Sequence, residues 1–157
     1  MRPLPYQLEF RGVAAELGPR ELRIRATAPS SSFVTVVSEA GLSGHVGAFG
    51  QDEALLDARL VFVNDQLFDE EGSIVVGRGN RLRFRTVDRA RLEHSSDPHL
   101  RLAAVVLRIV GGEGQFVEAS GRIASNLLLS DTLDVTDNHV GLIHVRQRTT
   151  DAREIAE

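Results

Sequence analysis

Residues 109–123 read IVGGEGQFVEASGRI and join two strand-like runs through a turn rich in glycine. Glycine adopts positive φ without steric strain, so Gly111, Gly112 and Gly114 permit a sharp reversal of the chain. Gly121 keeps the second strand thin, as a curved sheet that closes on itself requires. The segment therefore predicts a hairpin within a β-barrel, and by itself it indicates no reaction.

The same turn also looks like the first half of a dinucleotide-binding G-x-G-x-x-G motif, because Gly112 and Gly114 follow a predicted strand. The third glycine of that motif is replaced by Val117, and the residues that follow alternate like a strand. Without a helix at this point, no positive helix end is present to hold a pyrophosphate. A structural turn is therefore favoured over a nucleotide site.

Length and charge restrict the function. The chain has 157 residues and a formal net charge of -4, which predicts one domain over residues 1–147 followed by a charged tail over 148–157. No basic excess is present to neutralise phosphates, so we expect no nucleic-acid partner.

Composition excludes several kinds of chemistry. All 18 residues of the Lys+Arg count are arginine, and cysteine is absent. Lysine Schiff bases, thiolate nucleophiles, disulfides and cysteine-ligated metals are therefore excluded. The N-terminal residues lack a signal-like apolar region and no run has membrane-spanning length, so we expect a cytoplasmic protein without a membrane partner.

Apolar and polar residues alternate with a period of two along most of the chain, which is typical of strands. The predicted strands are 7–10, 21–27, 33–38, 58–68, 73–87, 100–110, 116–130 and 138–147. This pattern predicts an all-β domain, an antiparallel β-barrel of about eight strands, with a β-sandwich as the alternative. Residues 41–50 are glycine-rich and form either a lid over the barrel mouth or a plain connector, and residues 89–98 are expected to cross the surface.

The hairpin resembles that of the allene oxide cyclase family and the related dirigent proteins, which carry a G-G-x-G-x-F-x-x-A-x-G pattern. The matching positions are Gly111, Gly112, Gly114, Phe116, Ala119 and Gly121. Residues 63–68 are similar to the asparagine-to-aromatic strand end of the plant cyclases, and the likeness covers residues 58–145. The resemblance implies a calycin-type barrel, and we expect a homo-oligomer, a dimer or trimer.

Residues 67–72 and 77–80 are more loosely similar to the bacterial spirotetronate cyclases, which promote intramolecular Diels-Alder closure. These resemblances imply a lumen that holds an apolar small molecule and orients it for ring closure, without a cofactor. The plant cyclases also use a cysteine, a tyrosine and a glutamate. Here cysteine is absent, Tyr6 is the only tyrosine and the glutamate has no located counterpart, which argues against allene oxide cyclase activity itself.

Asn64 shares a predicted strand face with Leu60, Phe62 and Phe68, which predicts an inward amide among apolar side chains. The resemblance implies that this asparagine helps to hold a substrate oxygen or a water. An amide bonded to neighbouring backbone is the alternative.

Asp137 and His139 have the two-residue spacing that places side chains on one strand face, so a paired, proton-shuttling imidazole is one interpretation. The alternative is a polar turn. His144 falls on the opposite face. A metal site made by His139, His99 and a carboxylate lacks the usual ligand spacing, and we predict no metal.

Arg81, Arg83 and Arg85 alternate with apolar residues, so they form either a solvated outer face or a cationic lumen able to bind a carboxylate or carbonyl. Glu118 is either an inward general acid or an outward charge, and His99 is a candidate at the barrel rim.

The sequence thus predicts a small-molecule cyclase or isomerase, placed by resemblance in bacterial secondary metabolism, whose apolar substrate lies in the barrel lumen. The alternatives are a non-catalytic carrier barrel and a structural oligomer with a packed interior. The predicted catalytic residues are Asn64, Arg83 and His139, and the predicted substrate contacts are Leu60, Phe62, Leu82, Phe84, Glu118 and His99.

Overall fold

The computed structural model describes residues 1–147, so the tail predicted for 148–157 lies outside the described residues. The strands are β1 (Arg2–Gly18), β2 (Glu21–Ser38), β3 (Gly41–Phe62), β4 (Leu67–Val76), β5 (Arg81–Thr86), β6 (Ala90–Arg91), β7 (Glu93–His94), β8 (Leu100–Glu113), β9 (Ser120–Ser130) and β10 (Asp134–Val145). A single turn of 3-10 helix covers Gly114–Phe116. Within residues 1–147, no helix is long and apolar enough to cross a membrane.

Eight of the strands form a closed antiparallel ring. Their order is β3-β2-β1-β10-β9-β8-β5-β4, and pairing of β3 with β4 completes the circle. Where all eight strands are paired on both sides, closure leaves no free sheet edge. The prediction of an all-β, eight-stranded antiparallel barrel is therefore confirmed.

Several predicted strand boundaries are wrong. The strand predicted at 7–10 is the longer β1, and those at 21–27 and 33–38 are parts of β2. Three further errors lie at turns. The run 58–68 is divided by a turn at residues 63–66, and the run 73–87 by a turn at 77–80, where Gly77 and Gly79 have positive φ. The strand predicted from residue 116 begins at Ser120. In each case apolar residues flank the turn on both sides, so periodicity alone does not mark the break.

Residues 41–50 form neither a separate lid nor a connector. They are the first part of β3, and they pair with the end of β2 from Ser30↔Phe49 to Ser38↔Gly41. This two-stranded ribbon, residues 30–38 and 41–49, extends beyond the ring, with Val37 and Leu42 among its most exposed side chains. The predicted surface segment 89–98 contains the two short strands β6 and β7.

The ribbon leaves a split in the barrel wall. β1 pairs with β2 only from Arg11 onward, whereas its first part pairs with β10 alone. Pro3 and Pro5 lie in this first part, where the strand has a neighbour on one side only, the position in a sheet that tolerates proline. The split lies between residues 4–8 and the base of the ribbon.

The interior of the ring is filled. The largest enclosed side chains, each less than 2% exposed, are Phe10, Phe68, Phe84, Ile24, Leu60, Ile74, Leu82, Leu107, Ile123, Leu127, Leu129 and Ile143. A side chain without accessible surface has no water-sized space beside it, so the centre of the barrel is a packed core.

Candidate functional site

Four polar side chains lie inside this core. Glu70, Ser125, Asp137 and His139 are each 2% exposed or less. Enclosing ionisable groups in an apolar interior is costly unless they are hydrogen-bonded or neutral. Their hydrogen bonds therefore identify the part of the barrel where packing alone does not explain the sequence.

Asp137 joins two of the other three groups. Its Oδ2 lies 3.0 Å from His139 Nε2, two residues along β10, and its Oδ1 accepts a 2.6 Å hydrogen bond from Ser125 Oγ on neighbouring β9. The predicted pairing of Asp137 with His139 is confirmed, and the alternative of a polar turn is wrong. With Asp137 as acceptor, the network assigns the imidazole hydrogen to Nε2 and leaves Nδ1 as an acceptor.

Tyr6 supplies the partner of Nδ1. Its Oη lies 3.0 Å from His139 Nδ1, so the hydroxyl donates to the imidazole. Burial raises the pKa of Tyr6 well above its usual value, and the charge of Asp137 raises it further. Tyr6 therefore stays a neutral hydroxyl at physiological pH, with its oxygen lone pairs directed away from His139.

A pocket of about 320 Å³ reaches Tyr6 through the split in the wall. Its lining is mainly apolar and comprises Leu4, Pro5, Tyr6, Gln7, Leu8, Ser30, Ser31, Phe49, Ile74, Val76, Leu82, Gln115, Phe116 and Ile143. Tyr6 is partly exposed, whereas His139 has no exposed surface. A ligand in this pocket would touch Tyr6, and His139 would act through Tyr6.

Ser31 adds a second polar group to the pocket. Its Oγ is buried and has no hydrogen-bond partner among residues 1–147. A buried hydroxyl normally bonds to protein or solvent, so this oxygen would bond to a ligand once a small shift of the pocket wall uncovers it. The pocket thus offers one hydroxyl from the ribbon and one from β1 in an otherwise apolar wall.

Glu70 on β4 is the fourth enclosed polar group. Its Oε2 has no hydrogen-bond partner among the described residues. Burial raises the pKa of Glu70 well above its usual value, and the charge of Asp137 raises it further. The shift favours the neutral carboxylic acid, which adds no second negative charge beside Asp137.

This protonation makes stability pH-dependent. Above about pH 4.5 the unfolded chain releases the Glu70 proton while the folded protein retains it, so stability falls as pH rises, by at most about 1.4 kcal/mol per pH unit. We expect Glu70→Gln to remove this loss and to stabilise the protein at pH 7. Urea unfolding between pH 5 and 7 measures it, with the exposed Glu71→Gln as control; equal slopes in both variants would contradict a neutral Glu70.

Four of the predicted site residues are enclosed. Leu60, Leu82, Phe84 and His139 face the interior, and the Phe84 and His139 rings meet edge-on with centroids 6.5 Å apart. Phe62 is partly exposed at the end of β3 and packs on Phe68. Of these residues only Leu82 lines the pocket that reaches Tyr6.

Asn64 does not face the lumen, and that prediction is wrong. It is exposed in the turn between β3 and β4, where its Oδ1 accepts hydrogen bonds from the backbone N–H groups of Gln66 (2.9 Å) and Leu67 (2.8 Å). The alternative, an amide satisfied by neighbouring backbone, describes its position. β3 ends at Phe62, so the alternation that was expected to place Asn64 inside stops before it reaches this residue.

Two charged candidates, Arg83 and Glu118, also lie outside the lumen. Arg83 faces solvent and pairs with Glu113, so the solvated arginine face is the correct alternative. Glu118 is exposed and pairs with Arg146. The placement of Arg83 and Glu118 inside the lumen is therefore wrong.

His99 is exposed, with its Nδ1 3.0 Å from Asp131 Oδ2. Its hydrogen bond with Asp131 raises its pKa, as do the charges of Asp131 and Asp97. Because His139 is enclosed, these two histidines do not share a site. Among residues 1–147, no three His, Asp or Glu side chains are grouped in a way that could hold a metal ion.

Sequence reasoning missed Tyr6, Ser125 and Glu70. A signal for Tyr6 was present, since Leu4, Tyr6, Leu8 and Phe10 alternate with polar residues or proline and predict one inward face. The sequence gives no such signal for Ser125 and Glu70. A single polar residue on an apolar strand face can be assigned to the core only when the strands that pack against it are known.

No protein-family profile matches the sequence, and no curated protein matches it. Among solved structures, the pterocarpan synthase dirigent protein GePTS1 is similar to this chain with a TM-score of 0.31 and 12% sequence identity. The match covers 92% of this chain and 89% of that one. A similarity at this TM-score gives no argument about activity, so the function proposed below depends on the geometry of the site.

Proposed function

We propose that the protein is a small-molecule isomerase or cyclase that takes an apolar ligand into the pocket at Tyr6. The observation that carries this proposal is the continuous hydrogen-bonded chain from Tyr6 through His139 to Asp137 and Ser125. It connects a group at the pocket wall with a carboxylate in the core. A chain of this kind is suited to moving a proton.

The chemistry is a coupled proton transfer. As Tyr6 Oη takes an acidic proton from the ligand, its own proton passes to His139 Nδ1, which gives an imidazolium stabilised by Asp137. The raised pKa of Tyr6 disfavours a free phenolate, so both transfers take place together. Return of a proton through Tyr6 to another ligand atom completes an isomerisation, or neutralises the oxyanion formed in a ring closure.

The remaining contacts would orient the ligand. The apolar wall from Leu4, Ile74 and Phe116 would exclude water, and the Ser31 hydroxyl would bond to a ligand oxygen. Holding a flexible molecule in a reactive conformation itself accelerates ring closure. No lysine, cysteine or cofactor is required for either contribution.

A packed structural barrel is the second candidate function, and the filled core favours it. The buried polar chain distinguishes the two. A barrel selected only for packing has no use for an enclosed Asp-His pair, because hydrophobic residues of similar volume are often equally or more stabilising. A carrier barrel would hold its ligand in the same pocket without needing the proton chain.

The test is mass spectrometry of metabolites from cells that contain the native protein, no protein or Tyr6→Phe. Loss of the protein should accumulate a precursor isomeric with the missing product. Tyr6→Phe should lower formation of that product by about 100-fold, since a positioned acid-base group contributes at least this much.

The control is the melting temperature of Tyr6→Phe, which should fall by only a few degrees, since the enclosed His139 Nδ1 loses one donor at a cost of about 1–3 kcal/mol. An unchanged metabolite profile without the protein would support the structural barrel. Full turnover by Tyr6→Phe would overturn the role of the chain. Retention of a ligand through purification, with no change in metabolites, would support a carrier.

A further inference from the structure

A row of six outward-facing residues crosses the barrel wall on neighbouring strands. Each is the direct cross-strand partner of the next, in the order Arg23, Arg59, Glu71, Arg85, Arg108 and Arg122. Five of the six are arginines. We call this row the arginine belt.

The belt places like charges directly opposite one another. Arg23 faces Arg59, and Arg108 faces both Arg85 and Arg122. Such pairs destabilise a sheet, whereas opposite charges in the same positions stabilise it. A sequence that carries three of them in one row is not arranged for the stability of the sheet alone.

Carboxylates neutralise only one end of the belt. Arg23 bonds to both oxygens of Asp57, at 3.0 and 2.6 Å, and Arg59 pairs with Glu21 at 2.7 Å. For Arg85, Arg108 and Arg122, residues 1–147 supply no ion pair, and all three are exposed. The unneutralised end therefore lies on β5, β8 and β9.

A groove of about 620 Å³ borders the belt and extends its positive field. Its charged lining residues are Arg23, Arg59, Arg81, Arg83, Arg85, Asp57 and Glu71. The hydrogen bond from Arg23 lowers the pKa of Asp57, with further contributions from the charges of Arg25 and Arg81. On a chain of formal net charge -4, the belt thus concentrates positive charge along an arc of six neighbouring strands of the ring.

We propose that the arginine belt is the docking surface for an acidic segment of a partner protein. Five strand spacings of about 4.8 Å give the row a path of about 24 Å around the curved wall, and its unneutralised end alone spans about 10 Å, which exceeds the reach of a small anion. Guanidinium groups form paired hydrogen bonds with carboxylates, so a run of Asp or Glu side chains would satisfy the unneutralised arginines.

A protein fits this surface better than a nucleic acid. Glu71 lies in the middle of the belt and the chain as a whole is negative, and both features repel a uniform row of phosphates. A mainly acidic protein segment can place a cation opposite Glu71 and carboxylates opposite the arginines. Complementary charge of this kind sets partner choice and speeds association.

The test uses fluorescence anisotropy with a labelled octaglutamate peptide, and an octathymidine oligonucleotide as competitor, at low and physiological salt. The belt variant is Arg85→Gln/Arg108→Gln/Arg122→Gln. The control is Arg11→Gln/Arg89→Gln/Arg91→Gln, which removes the same charge from exposed arginines outside the belt. We expect the belt variant to weaken peptide binding about tenfold and the control to change it less than about twofold.

Equal weakening by both triple variants would overturn the proposal, because only overall charge would then matter. Tighter, belt-dependent binding of the oligonucleotide would overturn the partner class. Light scattering that shows a wild-type oligomer dissociated by the belt variant would assign the belt to contacts between copies instead. Circular dichroism must show the native fold for each variant, and single substitutions replace any triple variant that fails this check.

Discussion

Asp137→Ala is expected to lower the free energy of unfolding by about 3–5 kcal/mol, because two enclosed hydrogen-bond donors lose their acceptor and the missing carboxylate leaves a cavity. The substitution leaves His139 Nε2 and Ser125 Oγ without their acceptor. Both groups are enclosed, so water does not replace the carboxylate without opening the barrel. Urea unfolding at constant pH measures the change.

Asp134→Ala is the matched control, since Asp134 lies on the same strand but is exposed, where its Oδ2 accepts from Thr132 Oγ1. We expect only a small change there. If Asp137→Ala does not fold, Asp137→Asn keeps the volume and one acceptor and should unfold at a lower urea concentration than the native protein. Equal stability of Asp137→Asn and the native protein would show that the carboxylate does not hold the core network.

The pairing of Asp137 with His139 was predictable because it depends on strand periodicity alone. Side chains two residues apart on a strand share a face, whatever the neighbouring strands are. The same rule correctly placed Leu60, Leu82 and Phe84 inside. Composition and alternation likewise predicted the barrel, since both are properties of the whole chain.

Asn64 shows where that reasoning fails. The face of a residue follows from alternation only while the strand continues, and residues 63–66 form a turn stabilised by the Asn64 amide itself. Asn followed by Asp is a turn signal, but the apolar residues on both sides suggested one long strand. A missed turn assigns the wrong environment to every residue within it.

Tyr6 was missed for a different reason. Pro3 and Pro5 count against a strand, so the predicted strand began at residue 7, whereas β1 begins at Arg2. The prolines are tolerated because this part of β1 pairs with β10 alone. That one-sided pairing also creates the split that holds the pocket. It depends on the residue at which β2 separates from β1, and the sequence of β1 alone does not indicate that position.

Gly12→Ala is expected to destabilise the fold by about 3 kcal/mol or more, because it forces the backbones of β1 and β2 apart. A Cβ at Gly12 would lie 2.0 Å from the backbone oxygen of Arg25 and 2.6 Å from Ala26 Cα. Backbone atoms in a paired strand do not rotate away as a side chain does. The pairing would have to open near Arg11, where the split begins, so the pocket should widen as well.

Gly18→Ala is the control on the same strand, since a Cβ there meets no atom within 4 Å. Urea unfolding of both variants measures the difference, and hydrogen exchange of the β2 amides reports whether the β1-β2 ladder has opened. We expect faster exchange in Gly12→Ala alone. Similar losses in the two variants would mean that glycine matters here for chain flexibility rather than for close approach of the strands. Failure of Gly12→Ala to fold, with Gly18→Ala native, would be the expected result in its stronger form.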